Sequence, residues 1–285
     1  MIIPKTYLGD LMKLNIGIVQ LEVSESKSDN LKRAGEMILE AGRKGAEIIA
    51  LPEMFNCPYQ QEFFPRFAEE ITNGETTAFL SEMARKTKAY LIGGSIPERD
   101  DARIYNTSLT FNPLGELIAK HRKMHLFDIA IPGQIEFRES AVLAPGDDLT
   151  TFVTEYGMFG ILICYDLRFP ELFRLLVERG TIGVIVPATF NMTTGPAHWE
   201  TLFRARAIDN QLYMIGISPA RNEKAGYIAY GHSLVVDPWG EIIWKAGAGE
   251  EVAVIPVETE KVSQIRERLP LLAHRRLDRY QVKEV

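Results

Sequence analysis

Cys164 closes an apolar run, Gly160-Ile161-Leu162-Ile163-Cys164, and Tyr165-Asp166-Leu167-Arg168-Phe169-Pro170-Glu171-Leu172 follows at once as a turn and a helix start. The run reads as a buried strand. Pro170 suits a first helical turn, and Leu172, Leu175, Leu176 and Arg179 keep helical spacing. A thiol at such a junction lies near backbone N–H groups without partners, which favour its thiolate and can hold a developing oxyanion. The competing explanation is that free cysteine is among the most buried residue types and serves as core filler in many apolar strands. Position alone leaves both readings open.

Two more chemically capable residues occupy equivalent places. Glu53 follows the strand-like Ala46–Leu51 and Pro52, and Lys123 follows the strand-like Gly115–His121. Strand ends are where α/β sheets collect their sites. A thiol nucleophile needs a base, and an amide or nitrile under attack needs a cation or N–H donors where charge develops. Glutamate and lysine supply both. Taken singly, Glu53 reads as a solvated loop acid and Lys123 as part of a basic patch with Lys120, His121 and Arg122. The second cysteine, Cys57, sits in a loop-like context, Phe55-Asn56-Cys57-Pro58-Tyr59, and is the weaker nucleophile candidate.

The elements that must position these residues follow an α/β rhythm. A strand over 14–23 is followed by a helix over 28–44, with Leu31, Ala34, Met37, Ile38 and Ala41 on one face and Gly45 as a stop. A strand over 46–51, a helix over 76–88 and a strand over 89–94 come next. Residues 105–111 and 115–121 read as a hairpin turning at Asn112-Pro113-Leu114-Gly115. Residues 123–148 are rich in Pro, Gly and charge and read as a long functional loop. The rhythm then returns: a strand to Cys164, a helix over 170–179, a strand over 182–187, a helix over 198–211 and a strand over 212–218. Strands over 232–237, 241–245 and 252–257 precede a final helix. No linker divides the chain, so a single domain over 14–285 after an amino-terminal extension of residues 1–13 is the economical division.

Composition bounds the function. The chain has 285 residues, 46% apolar, with a formal charge of −6, and no Lys/Arg block stands clear of compensating acids. Nucleic acid and anionic membranes are therefore poor partners, and small molecules are better ones. No segment has the apolar length of a signal peptide or a membrane span. A reducing cytoplasm with two free thiols is the expectation, although a single disulfide is compatible with the sequence. The five histidines show no metal-ligand pairing with cysteine, so no metal is expected.

Leu51-Pro52-Glu53-Met54-Phe55, Lys123-Met124-His125-Leu126-Phe127-Asp128 and Cys164-Tyr165-Asp166-Leu167-Arg168-Phe169-Pro170-Glu171 resemble, in order and separation, the three signature segments of the nitrilase (carbon–nitrogen hydrolase) superfamily. The resemblance runs from about residue 14 to about residue 282. It implies an α/β fold of the α-β-β-α sandwich type with mixed sheets, paired into a homodimer or a higher even-numbered assembly. It also implies Cys164 as nucleophile, Glu53 as general base, Lys123 beside the oxyanion with the Tyr165 N–H, and Glu139 as a second site glutamate that orients water. No cofactor is implied.

Within the superfamily the chain is most similar to the ω-amidases, through Glu53–Tyr59, Lys123–Ile129, Phe190–Trp199, Arg206–Gln211 and Ser218–Arg221. That implies hydrolysis of α-ketoglutaramate and α-ketosuccinamate through a cysteine thioester. Arg168 would then meet the substrate carboxylate, with Tyr59, Tyr165, Phe190 and Thr194 around the substrate. Guanidinium suits a carboxylate because it binds both oxygens at once. The alternatives are another amidase of the superfamily, acting on N-carbamoyl amines or deaminated glutathione, and a catalytically silent scaffold.

Overall fold

Residues 13–20 form β1 (Lys13–Gln20), whose alternation settles the layering. Leu14, Ile16 and Ile18 point one way, into a cluster with Phe152, Phe159, Ile161, Ile185, Ile215, Ile217 and Val235. Val19 points the other way, toward Leu31, Ala34, Met37 and Ile38 of α1 (Lys27–Arg43). A strand buried on both faces has a sheet on one side and helices on the other. The computed structural model describes residues 13–133 and 135–284. Residues 1–12 of the expected extension lie outside the described residues, and Lys13 already belongs to β1.

The first half continues with β2 (Ile48–Ala50), α2 (Phe64–Phe67), α3 (Glu75–Thr87), β3 (Tyr90–Ile92), β4 (Ile96–Asp100), β5 (Arg103–Phe111) and β6 (Leu117–Arg122). A hairpin of β7 (Asp128–Ile131) and β8 (Ile135–Arg138) stands apart as a small sheet. The second half holds β9 (Thr150–Thr154), β10 (Gly157–Ile161), α4 (Pro170–Glu178), β11 (Gly183–Pro187), α5 (Gly195–Asn210) and β12 (Tyr213–Ile217). It ends with β13 (Leu234–Val236), β14 (Ile242–Lys245), β15 (Glu251–Glu258) and α6 (Lys261–Arg268).

One sheet runs β15-β1-β2-β3-β5-β4 with β6 on β5; the other runs β14-β13-β12-β11-β10-β9. Both are mixed: β1, β2 and β3 are parallel, as are β10, β11 and β12, and antiparallel strands flank each trio. Helices α1 and α3 cover the outer face of the first sheet. On the second, α4 and α5 pack Leu172, Phe173, Leu176, Trp199 and Phe203 against Val184, Val186, Met214, Leu234 and Val236. The architecture is thus the α-β-β-α sandwich with mixed sheets.

Three expectations change. The run ending at Cys164 is strand only to Ile161, and Cys164–Arg168 form a tight 3-10 turn. The segment after Lys123 is not structureless, since β7 and β8 pair from Asp128↔Arg138 to Ile131↔Ile135. Strands β4 and β9 were not foreseen, being short and rich in polar residues. Among the described residues no helix is long and apolar enough to cross a membrane.

Candidate active site

Strand ends of both sheets meet at one buried cluster. Glu53 lies three residues past β2 in a turn fixed by Gly94-Ser95: Ser95 N donates to Pro52 O, and Met54 N to Ser95 Oγ. Gly94 has φ of +56°, and a Cβ there would lie 2.0 Å from the Pro52 carbonyl oxygen, so only glycine permits this approach. Lys123 follows β6, its N–H bound to Asn106 O of β5 at 2.8 Å. Cys164 opens the turn after β10 with φ of +45°, a left-handed conformation uncommon for a residue with a side chain. It precedes the first closed hydrogen bond of that turn, Asp166 N to Ile163 O, so the Cys164 and Tyr165 N–H groups have no partner within the turn.

Lys123 is fully buried between two fully buried carboxylates. Its Nζ donates to Glu53 Oε1 at 3.0 Å, lies 2.9 and 2.8 Å from the two Glu139 oxygens, and reaches Tyr59 Oη at 3.2 Å. The contact with Tyr59 is the longest, so that proton is the one most easily turned toward a new oxyanion. Glu53 also accepts from Asn106 Nδ2 at 2.8 Å and from Thr189 N at 2.7 Å. Glu139 accepts from Tyr59 Oη at 2.7 Å and from Phe127 N at 2.6 Å. Both Glu139 oxygens therefore have protein partners, with Lys123 between them.

Electrostatics follow from burial. Burial pushes the Glu53 carboxyl above its usual range, opposed chiefly by the Lys123 charge. For Lys123 burial acts downward, but the Glu139 and Glu53 charges outweigh it and hold the ammonium well above its usual value. Burial and the Glu53 charge push the Cys164 thiol well up, against Lys123 and a Thr189 backbone hydrogen bond. Burial thus works against the thiolate that the free N–H groups of the turn favour. Cys57 is also a buried free thiol, raised by burial alone.

The remaining predicted residues fall into separate sets of contacts. Arg168 lies over the rings of Phe190 and Tyr165, 4.9 and 5.7 Å from their centroids, with Nη1 3.1 Å from His198 Nδ1. It has no ion pair with Asp166, whose oxygens are taken by His121 and His125. Thr194 Oγ1 donates to Asn191 Oδ1 at the start of α5. The Tyr59 ring packs on Phe64, Phe137 and Tyr227. A cleft of about 370 Å³ lined by Phe137, Asn191, Met192, Thr193 and Tyr227 opens beyond those rings, and a cavity of about 40 Å³ touches Glu53, Cys57, Tyr59, Thr189 and Tyr227.

The Carbon-nitrogen hydrolase family model matches residues 15–267. The chain belongs to the carbon–nitrogen hydrolase family. The protein named Omega-amidase NIT2 from Xenopus tropicalis is 52% identical to this hydrolase over 274 residues, 96% of this chain and 99% of that protein. Its namesake from Homo sapiens is 49% identical over 273 residues, again 96% and 99%. The crystal structure of Saccharomyces cerevisiae Nit3, a member of branch 10 of the nitrilase superfamily, superposes with a TM-score of 0.86 at 43% identity, covering 93% of this chain and 97% of that one.

Several residues that build the hydrolase's site belong to none of the three signature segments. Asn106 and the Thr189 N–H fix Glu53, while Phe137 and Tyr227 wall the Tyr59 ring. A signal for Asn106 existed: Asn106, Thr107, Ser108 and Thr110 make a polar run inside a segment that otherwise reads as a strand. Lys123 also leaves the basic patch assigned to it. Lys120 and Arg122 both pair with Glu98, while Lys123 turns inward.

Proposed function

We propose that this hydrolase is an ω-amidase acting on short α-keto acid amides, α-ketoglutaramate and α-ketosuccinamate, through a thioester on Cys164. The observation that carries the reading is the buried Lys123 ammonium joining Glu53 to Glu139 beside a thiol in a left-handed turn. The ω-amidase relatives and the Arg168 position point to the substrate class.

Glu53 takes the Cys164 proton as sulfur attacks the amide carbon. The oxyanion is held by the Lys123 ammonium and the Tyr165 N–H. Glu53 returns the proton to the amide nitrogen, the C–N bond breaks, ammonia leaves and a thioester remains. Water then gives a proton to Glu53 and attacks the acyl carbon. The C–S bond breaks, the keto acid leaves, and Glu53 returns the proton to sulfur. Glu139 keeps Lys123 oriented throughout. A reducing, cytoplasmic setting suits the two free thiols, and the working form is a homodimer.

Ammonia release should be far faster from α-ketoglutaramate than from glutamine, N-carbamoylputrescine or simple nitriles. Arg168→Met should lower kcat/KM for α-ketoglutaramate roughly 10- to 100-fold, the worth of one charged hydrogen-bonding group, with little change for an uncharged aliphatic amide. Preference for the carbamoyl amine or a nitrile, or equal losses on charged and uncharged amides, would overturn this specificity.

A further inference from the structure

The buried carboxylate of Asp166 takes no part in the steps above. Asp166 is fully buried, and four nitrogens from two places in the chain surround its carboxylate. Its Oδ1 accepts from His125 N at 2.9 Å and lies 2.8 Å from His125 Nδ1. Its Oδ2 accepts from Ile163 N at 3.0 Å and lies 3.3 Å from His121 Nε2. The partners fall in a pattern. Ile163 and Asp166 flank Cys164, and His121 and His125 stand two residues to either side of Lys123. One carboxylate thus ties the residues around the thiol to those around the ammonium.

The histidines are themselves anchored. The other His121 ring nitrogen, Nδ1, lies 3.1 Å from Thr150 Oγ1, which is 3.3 Å from Lys120 O. The His125 ring stacks on Phe169 with centroids 3.5 Å apart and planes at 12°, and Phe169 N donates to Asp166 O. Cys164 meanwhile holds a left-handed backbone that persists only where its surroundings over-determine it. The Ile163 and Asp166 contacts on either side of it supply that determination.

We propose that Asp166, through His121 and His125, is a positioning residue that keeps the Lys123 ammonium in register with the Cys164 thiol. The proposal rests on the reading of Cys164 as nucleophile and Lys123 as oxyanion partner. It acts on geometry and predicts a change in turnover with little change in substrate binding. Misplacement of a reacting group by about 1 Å costs on the order of 100-fold in rate.

His125 is the member to change, since its side chain is 30% exposed whereas Asp166 and His121 are fully buried. His125→Phe keeps a ring on Phe169 and removes the donor. His125→Asn restores an N–H, because the asparagine Nδ2 occupies the place of the histidine Nδ1. The readouts are kcat and KM for α-ketoglutaramate, and the rate at which iodoacetamide alkylates Cys164. His125→Phe should lower kcat and alkylation by about 10- to 100-fold with KM within about threefold, and His125→Asn should recover most of both. A His125→Phe protein that melts earlier yet alkylates and turns over like wild type would overturn the proposal, as would an asparagine variant as impaired as phenylalanine. A wild-type protein that alkylates at Cys164 but releases no ammonia would instead sink the amidase reading, and the alkylation ratio of the variants would still decide the proposal.

Discussion

Cys164→Ala is expected to reduce ammonia release from α-ketoglutaramate by roughly 10,000-fold or more, the scale seen when a covalent nucleophile is removed. Cys57→Ala should leave turnover near wild type. The contrast follows from position. Both thiols are buried and free, but Cys164 lies in the field of the Glu53, Lys123 and Glu139 charges. Cys57 points its sulfur toward the Pro58 carbonyl oxygen at 3.4 Å. Alanine at 164 removes the sulfur whose proton Glu53 accepts in the first step, so no thioester can form. Steady-state ammonia release by the two variants decides between them, and retained turnover in Cys164→Ala would overturn the mechanism.

Lys123→Met should be nearly as damaging, with kcat/KM lower by about 1,000-fold and a destabilisation of about 3–5 kcal/mol. Among the described residues Lys123 is the one cation bonded to both Glu53 and Glu139, and its loss leaves two buried carboxylates without it. The linkage signs are definite. The Lys123 value is raised in the folded state, so its stabilisation is complete below about 10.5, its usual value, and is lost only as pH rises past the raised value. The Glu53 value is raised too, so ionised Glu53 costs stability at neutral pH, and Lys123 offsets that cost. Turnover needs ionised Glu53. Activity should therefore fall on the acid side at a pH above the ordinary carboxylate range, and removal of Lys123 should move that fall further upward. A pH profile that stays put in Lys123→Met would contradict the assigned coupling.

Sequence made some of this legible because the information is local. Glu53, Lys123 and Cys164 each lie just beyond a strand whose apolar pattern is visible, and the turn and helix after Cys164 are announced by Pro170. The sheets, their helices and the order of the signature segments follow from the same periodicities. The missing parts are non-local. Asn106 reaches Glu53 because β5 pairs with β6 in the register Thr107↔Arg122, which places Lys123 opposite Asn106. No spacing within either strand encodes that pairing.

The end of the strand before Cys164 was misplaced for a different reason. Leu162 and Ile163 are apolar because they pack under α4 and α5, so apolar composition outlasts the strand, which stops at Ile161. The β7–β8 hairpin hid behind Pro132 and Gly133 and its charges, although Asp128-Ile129-Ala130-Ile131 and Ile135-Glu136-Phe137-Arg138 alternate as exposed strands do. Glu139 follows that hairpin and looks like surface in sequence. It is buried because its carboxylate closes the ring of Tyr59, Lys123 and Phe127.

A covalent acyl-enzyme on the Cys164 sulfur is tested directly by mass spectrometry of the intact chain and its peptides after rapid acid quenching with α-ketoglutaramate. The predicted result is a transient acyl adduct on the peptide carrying Cys164, formed with a burst of ammonia and absent from Cys164→Ala. Ammonia release with no adduct on Cys164, or with the adduct on Cys57, would contradict the account.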